Sequence, residues 1–422
     1  MRKYTSICVF TTAKCVNCII INHPLNYKSM RFTDRFTRSS FKSFSLFLAL
    51  CATQLLACKS SVEEEAAPAN QPKELVARST NTEMATYAST TVNFVKNASL
   101  KGSFSIPIGV AVIKERLEDP VYANVVSREF NSLTAESNMK FGNLHPEEKT
   151  WTFTKADAIV TFAQKYNMRV HGHALIWAKD SVQPAWVKNF SGDKAAWDRM
   201  LKTHIQTVVK HFKGKVASWD VINEPVASNG QLVDNIWLRK LGTDYIFKAF
   251  KYAHEADPDA KLFLNDYGQE FGGKKMALLL DLAAQAKAKQ IAFDGLAFQA
   301  HTVLRIDPAK FYTNFKRAAD AGLLVYISEL DISVRYQQPD LFNLTTELAS
   351  GQGSKWKQII KAYLSAVPEK QQWGITTWGV GDSDSFFNHN VAKNNHDYPV
   401  LFDSKYNPKP AYKGFVEAGL GK

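Results

Sequence analysis

The sequence predicts an α/β fold, a single (β/α)8 TIM barrel over residues 86–422 that follows a signal peptide and a short flexible linker. Short apolar runs alternate with segments of helical period, a pattern typical of a parallel sheet with crossover helices. There are eight such runs, in a stretch of the length that one barrel needs. Polar residues close most of the runs, at the strand ends where barrel enzymes hold their functional groups.

The eight predicted strands are separated by amphipathic segments. In chain order they are Phe104 to Val112, Ser132 to Ser137, Arg169 to Trp177, Val216 to Glu224, Lys261 to Asp266, Gly295 to Thr302, Leu324 to Asp331 and Gly374 to Val380. After the second strand, Ala156, Ile159, Val160 and Ala163 recur at helical spacing and predict a crossover helix with one apolar face.

The composition excludes several classes of protein. With 45% hydrophobic and 22% charged residues in 422, the chain is neither disordered nor fibrous. More than half of the net charge of +12 comes from residues 1–57, and both signs mix in the remainder, so no nucleic-acid partner is expected. All five cysteines lie in the first 58 residues, so we expect a barrel without disulfides or a cysteine metal site.

The N-terminal segment has the features of a secretory signal. A basic region precedes a short apolar run at residues 44–50, which is too short to span a membrane. The small residue Ala57 directly before Cys58 resembles the bacterial lipobox, in which the cysteine is lipidated. An ordinary cleaved signal with an incidental cysteine is the alternative.

This interpretation divides the chain into three parts: a targeting segment at residues 1–57, a lipidated tether at 58–85 and the barrel at 86–422. Met30 is an alternative start, which would make residues 1–29 an upstream extension. We therefore expect an exported protein that meets the membrane only through its lipid anchor, at the outer membrane or the cell surface.

The polar residues at the strand ends form the candidate site. They are Glu136, His173, Trp177, Asn223, Glu224, Asn265, Asp266, Tyr267, Gln299, His301, Glu329, Asp331 and Trp378. Any one of them alone would be read as a loop, cap or packing residue. Together they predict a carbohydrate site, because amides and carboxylates bind sugar hydroxyls and aromatic rings cover the C–H faces of sugars.

Two segments carry a family resemblance. Residues 219–224, Trp-Asp-Val-Ile-Asn-Glu, resemble the acid/base strand of the glycoside hydrolase family 10 endo-β-1,4-xylanases, and residues 328–331, Ser-Glu-Leu-Asp, resemble their nucleophile strand. Further family signatures occur in order at residues 139–140, 172–177, 265–267, 299–301, 378–380 and 401–403. The resemblance covers roughly residues 86 to 420.

The resemblance implies a retaining endo-1,4-β-xylanase. Glu329 would be the nucleophile and Glu224 the acid/base, with the two carboxyl groups about 5 to 5.5 Å apart. His301 and Asp331 would form a network that keeps Glu329 charged. Hydrolysis by two carboxylates needs no cofactor, and no zinc or nucleotide motif is present, so neither a cofactor nor a metal is expected.

The resemblance also implies the residues that bind the substrate, xylan or xylo-oligosaccharides. They are Glu136, Lys140, His173, Trp177, Asn223, Tyr267, Gln299, His301, Trp378 and Phe386. Asn223 would contact the sugar 2-hydroxyl, and Glu136, Lys140, His173 and Trp177 would lie on the non-reducing side of the cleaved bond. We expect the enzyme to act as a monomer.

Three positions depart from the family pattern. Ser137 stands where the family usually has Asn, residues 178–183 form a longer and differently charged loop, and Phe386 replaces the second Trp of a pair. Whether Gln183 substitutes for the family's loop glutamine stays open. Two alternatives remain: a retaining β-1,4-glycanase on glucan or mixed polymers, and a non-catalytic surface lipoprotein that binds glycans.

Overall fold

The computed structural model describes residues 98–335, 344–389 and 396–422. The predicted targeting segment, the tether with Cys58 and the first residues of the predicted barrel segment, 86–97, lie outside the described residues. In the part that is described, no helix is both long enough and apolar enough to cross a membrane.

The described strands form one closed parallel barrel. They are β1 (Ile108–Val112), β2 (Ser132–Ala135), β3 (Arg169–Gly172), β4 (Ile176–Trp177), β5 (Ser218–Asn223), β6 (Lys261–Asp266), β7 (Gly295–Phe298), β8 (His301–Val303), β9 (Leu324–Ser333) and β10 (Gln372–Thr377). Strand β10 pairs in parallel with both β1 and β9, which closes the sheet. Each of the eight predicted runs supplies a strand of this barrel, and the third and sixth runs also supply the short strands β4 and β8, so the predicted (β/α)8 barrel is confirmed for the described residues.

Helices follow the strands and cover the outside of the barrel. They are α1 (Pro120–Glu129), α2 (Phe141–Leu144), α3 (Thr154–Lys165), α4 (Ala185–Lys188), α5 (Lys194–His211), α6 (Ile236–Leu241), α7 (Asp244–Ala256), α8 (Gly273–Ala288), α9 (Pro308–Asp320), α10 (Thr346–Ala366), α11 (Phe386–His389) and α12 (Pro410–Gly419). The predicted apolar face of α3 is buried at Ala156, Ile159, Val160 and Ala163. The main core lies between these helices and the sheet, where apolar burial drives folding.

Two predicted strands are broken where the sequence indicated continuous ones. The third run leaves the sheet after Gly172 and returns as β4, which pairs with β5. The sixth run breaks before His301, because Ala300 takes the left-handed conformation with φ of 59°. Both breaks lie at the C-terminal end of the barrel, so they redirect side chains at its mouth.

Four of the six remaining predicted strands extend beyond the observed strand at one or both ends. The first strand begins at Ile108, and the second ends at Ala135, so Glu136 and Ser137 lie in a turn. Conversely, β9 continues past the predicted end at Asp331 to Ser333.

Candidate active site

Glu329 is a buried carboxylate near the C-terminal end of β9, only 4% exposed. Asn265 Nδ2 on β6 donates to its Oε1 at 2.7 Å, and His301 Nε2 on β8 lies 3.0 Å from its Oε2. Burial alone would raise the pKa of Glu329. The bonds from His301 and Asn265 and the charges of the nearby histidine rings outweigh burial and lower the pKa, so Glu329 is held as an anion.

His301 bridges two carboxylates. Its Nδ1 lies 2.8 Å from Asp331 Oδ2, while its Nε2 faces Glu329. Burial would lower the pKa of His301, but the charges and hydrogen bonds of Asp331 and Glu329 raise it to about 10. Burial raises the pKa of Asp331 to about 6, with the charge of His301 acting against it. At neutral pH both ring nitrogens therefore carry protons and donate, one to each carboxylate.

Glu224 follows β5 directly and has a positive φ of 56°. Residues other than glycine take this conformation rarely, and such residues cluster at functional sites. The turn places its Oε1 3.0 Å from Gln299 Nε2, which also donates to Asn223 Oδ1 at 3.2 Å.

Hydrogen bonds connect the two catalytic candidates. Asn265 Nδ2 donates to Asn223 Oδ1 at 3.1 Å as well as to Glu329. Because Gln299 bonds both Asn223 and Glu224, the amides form a continuous chain from Glu224 to Glu329. Ser328 Oγ donates to Asn265 Oδ1 at 2.8 Å and fixes the orientation of that amide. Asn265 was among the predicted strand-end residues of the candidate site, but the resemblance assigned it no role of its own.

His173 contacts the buried carboxylate of Asp220, which was not among the predicted site residues. Its Nδ1 is 2.8 Å from Asp220 Oδ2 on β5, and His171 Nε2 is 3.0 Å from the same oxygen. The ring of Trp378 makes an edge contact with His173, with centroids 5.3 Å apart. Asp220 therefore orients His173 toward the indole. The sequence signal was the alternation that sends His171 and His173 to one face of the strand.

Lys140 and Trp177 lie together on the predicted non-reducing side. The Lys140 ammonium is 4.9 Å from the centre of the Trp177 ring, and the Lys179 ammonium of the long loop is 5.4 Å from it. Burial lowers the pKa of Lys140, against the charges of Glu329, Glu136 and Glu224. Lys140 and Trp177 also line a small cavity of about 180 Å³.

Tyr267 and Phe386 lie at the edges of the site. Tyr267 is 43% exposed, and the Lys275 ammonium sits 3.9 Å from its ring centre and 2.7 Å from Asp266 Oδ1. Burial raises the pKa of Tyr267, and the negative charge of Glu224 adds to this effect. Phe386 meets the His301 ring edge-on, with centroids 4.8 Å apart.

Two amide residues at the departures from the family pattern, Gln183 in the long loop and Asn138 next to Ser137, make structural hydrogen bonds. Gln183 Nε2 donates to the carbonyl oxygens of Trp177 at 2.8 Å and Lys179 at 3.1 Å, so its amide nitrogen stabilises its own loop. Asn138 is buried and accepts from the Lys114 backbone N–H at 3.0 Å. These hydrogen bonds hold the Gln183 amide nitrogen and the Asn138 amide oxygen away from the network of Glu224 and Glu329.

The sequence of this chain matches the model of a protein family, glycosyl hydrolase family 10. The match spans residues 96–418, most of the chain. The chain belongs to glycosyl hydrolase family 10.

Curated relatives support this assignment. Endo-beta-1,4-xylanase Xyn10C of Cellvibrio japonicus is 36% identical over 75% of this chain and 56% of its own length. An endo-1,4-beta-xylanase of Geobacillus stearothermophilus is 37% identical, covering 72% of this chain and 93% of the relative. Exoglucanase XynX of Acetivibrio thermocellus is 36% identical over 72% of this chain but only 28% of the relative. The match to this chain thus covers about half or less of the length of some of these relatives.

A solved structure shares the fold. Xylanase 10C of Cellvibrio japonicus, a mutant in complex with xylopentaose, superposes with a TM-score of 0.74 at 34% identity. The match covers 77% of this chain and 70% of that one.

We predict that His301→Gln moves the acid limb of kcat/KM to higher pH. The substitution removes the positive charge and the hydrogen bond that lower the pKa of Glu329, so that pKa rises and the anion is lost earlier as pH falls. The pH profile of aryl-xylobioside hydrolysis measures the shift. His211→Gln is the matched control, because His211 pairs with Asp157 on the outer helices at 2.7 Å. An unmoved acid limb in His301→Gln would show that His301 does not hold Glu329 ionised.

Proposed function

We propose that this protein is a retaining endo-1,4-β-xylanase that cleaves internal bonds of xylan by double displacement. One observation carries the proposal: Glu224 and Glu329 are carboxyl groups at the C-terminal ends of two strands of one barrel, joined by hydrogen bonds through the amides of Gln299, Asn223 and Asn265. Retaining glycosidases require such a pair, one group as an anion and the other as a proton donor.

In the first step the anion of Glu329 attacks the anomeric carbon and forms a glycosyl ester. The bond from that carbon to the glycosidic oxygen breaks, and Glu224 gives its proton to the leaving oxygen. The contacts of His301 and Asn265 support this role of Glu329, because they hold it charged and fix both of its oxygens.

In the second step water attacks the same carbon from the opposite side. Glu224, now an anion, takes the proton of this water, and the ester bond to Glu329 breaks. Attachment of the sugar neutralises Glu329, so Glu224 no longer faces a neighbouring negative charge when it acts as base. Asn223, held by Gln299 and Asn265, can bind the 2-hydroxyl group of the reacting sugar.

Xylan is the substrate that the relatives favour. Two of the relatives described above are named xylanases, and the solved complex of the Cellvibrio protein contains xylopentaose. On the non-reducing side, the Lys140 and Lys179 ammonium groups lie over the Trp177 ring, so charged donors and an aromatic surface stand together. This arrangement suits a pentose ring with hydroxyl groups on its edge.

A second candidate is hydrolysis of glucose-based or mixed β-1,4 polymers. Phe386 is smaller than the tryptophan usual in the family, which leaves space for the hydroxymethyl group of glucose, and one relative is named an exoglucanase. No residue of the long loop at 178–183 lines the cavity that Phe386 lines, and Val182 and Gln183 line a different one, so the loop does not fill the space beside Phe386.

Two glutamate variants test the catalytic roles. Glu329→Ala should lower the release of reducing ends from xylan by about 10³-fold or more, as removal of a nucleophile does. Added azide should then give an inverted product in Glu329→Ala and a retained product in Glu224→Ala, because it replaces the nucleophile in one and intercepts the ester in the other. Proton NMR of the first-formed anomer distinguishes them.

Glu369→Ala is the control for these variants, since Glu369 is exposed at the opposite end of the barrel, just before β10. The same anomer from both catalytic variants would contradict the assigned roles. Full activity of Glu329→Ala would also contradict these roles. A wild-type protein that binds xylan without cleaving it would favour the alternative of a non-catalytic glycan-binding protein.

Phe386→Trp should raise the preference for xylosides over glucosides. Restoring the larger ring crowds the position of the glucose hydroxymethyl group, and a difference of that size in a pocket is worth about 1 to 3 kcal/mol, roughly 10- to 200-fold. The measurement is kcat/KM for aryl xylobioside and aryl cellobioside. Phe387→Trp, at the stacked neighbour of Phe386, is the control. A ratio that stays constant in Phe386→Trp would remove Phe386 as a determinant of specificity.

We also propose that the protein is exported and anchored to the membrane through Cys58. The support is the order of a basic region, an apolar run and Ala57 before the cysteine. Two acyl chains on one cysteine suffice for stable anchoring, where a single chain is marginal.

Cys58→Ala should abolish metabolic labelling with a radioactive fatty acid and release the protein from the membrane fraction. Cys51→Ala, in the same segment, is the matched control and should label like the wild type. Continued labelling of Cys58→Ala would refute the lipobox interpretation.

A further inference from the structure

Lys275 is a buried lysine in the first turn of α8, with only 3% of its surface exposed. Burial of a charge is costly, and a positive charge is unfavourable at the N-terminal end of a helix, where the backbone dipole is itself positive. Neither the helix nor the core therefore favours a lysine at this position. The contacts that compensate for both costs lie at the mouth of the barrel.

Lys275 contacts two consecutive residues at the C-terminal end of β6. Its ammonium group lies 2.7 Å from Asp266 Oδ1 and 3.9 Å from the centre of the Tyr267 ring. Asp266 is fully buried, which raises its pKa to about 7, while the charge and the hydrogen bond of Lys275 act against this rise. Lys275 thus favours the anion of Asp266, in which both carboxylate oxygens accept hydrogen bonds.

The carboxylate of Asp266 holds the turn that carries Glu224. Its Oδ2 accepts from the backbone N–H of Val226 at 3.1 Å, and its Oδ1 accepts from that of Tyr267 at 2.9 Å. The Glu224 N–H donates to the carbonyl oxygen of Asn265 at 2.8 Å. The backbone before and after the Glu224 side chain is therefore fixed to the end of β6. Such bonds are needed because the positive φ of Glu224 persists only where the surroundings impose it.

The Tyr267 ring gives Lys275 a second connection to Glu224. The negative charge of Glu224 adds to burial in raising the pKa of the Tyr267 hydroxyl group, while the Lys275 ammonium group makes a cation–π contact with the ring. Lys275 therefore contacts two neighbours of Glu224, the carboxylate that binds its turn and the ring near its side chain.

We propose that Lys275 is a positioning residue for Glu224: through Asp266 it fixes the turn that aims the Glu224 carboxyl group at the glycosidic oxygen. The proposal rests on the proposed retaining mechanism and adds a residue that acts through another side chain. Without the ammonium group, Asp266 takes up a proton, one of its oxygens becomes a donor, and one of its two backbone hydrogen bonds is lost. Glu224 then loses its alignment, and a misplacement of about 1 Å can lower a reaction rate about 10²-fold.

Two aryl xylobiosides with the same sugar part separate a loss of acid catalysis from a general loss of structure. The dinitrophenyl compound releases a leaving group that needs no proton, whereas the phenyl compound requires the proton of Glu224. Each compound carries one aryl ring, so contacts with Tyr267 affect both. The ratio of the two kcat/KM values, measured on one sample, does not depend on the fraction of the protein that is folded.

We expect Lys275→Met to lower kcat/KM for phenyl xylobioside about tenfold or more and to leave that for dinitrophenyl xylobioside within about threefold of the wild type. Asp266→Asn should give the same selective loss, because its amide has one oxygen for two backbone N–H groups. For the dinitrophenyl compound, kcat and KM should fall together. The second step uses Glu224 as base, so the ester accumulates when Glu224 is misplaced.

Lys409→Met is the matched control. Lys409 forms a buried ion pair of the same kind, 2.8 Å from Asp382 Oδ1, in the loop after β10. Its removal leaves the turn at Glu224 in place, so the ratio of the two kcat/KM values should equal that of the wild type.

An unchanged ratio in both Lys275→Met and Asp266→Asn would overturn the positioning role, whether the two activities fall equally or not at all. The same selective loss in Lys409→Met would also overturn it, since any buried lysine would then have this effect. Glu224→Ala gives the limiting pattern, a large loss on the phenyl compound and a small loss on the dinitrophenyl compound. A Glu224→Ala variant that keeps both values of kcat/KM, or a wild type that hydrolyses neither compound, would instead refute the retaining mechanism itself.

Discussion

Glu329 must remain an anion in a site that buries it, and its contact with His301 satisfies this requirement. Moving a carboxylate without partners from water into a protein interior costs several kcal/mol of solvation free energy. His301 returns part of this energy as a charge-assisted hydrogen bond to Oε2, and Asn265 bonds Oε1. Asp331 keeps the imidazole protonated from its other nitrogen, so the charge of Glu329 depends on three groups acting together.

The barrel supplies this arrangement through strand geometry. Glu329 and Asp331 are two residues apart on β9 and therefore point to the same face, where one ring can reach both. His301 reaches them because Ala300 breaks the strand between β7 and β8, and β8 then pairs with β9 opposite Asp331. A similar local turn at Glu224 sends the second carboxyl over the mouth. The backbone irregularities thus lie where the chemistry requires them.

The sequence predicted the barrel because eight apolar runs have to be buried together, and it located the site because polar residues end those runs. It did not predict the strand breaks after Gly172 and at Ala300, since these depend on backbone conformations set by neighbouring strands. It also left the role of Gln183 open, because only the folded loop shows its amide bonding to Trp177 and Lys179. Asp220 was missed as a partner of His173 because strand pairing, not spacing along the chain, brings them together.

If Glu329 is the nucleophile, a glycosyl ester forms on its side chain during the reaction, and trapping this covalent intermediate tests the assignment. An activated 2-deoxy-2-fluoro-xylobioside reacts through its good leaving group, while the fluorine slows breakdown of the ester. Mass spectrometry of the intact protein and of its peptides should show one glycosyl group per chain, on the peptide and side chain of Glu329. A glycosyl group on Glu224 or another residue, or steady turnover to an inverted product without any adduct, would show that Glu329 is not the nucleophile.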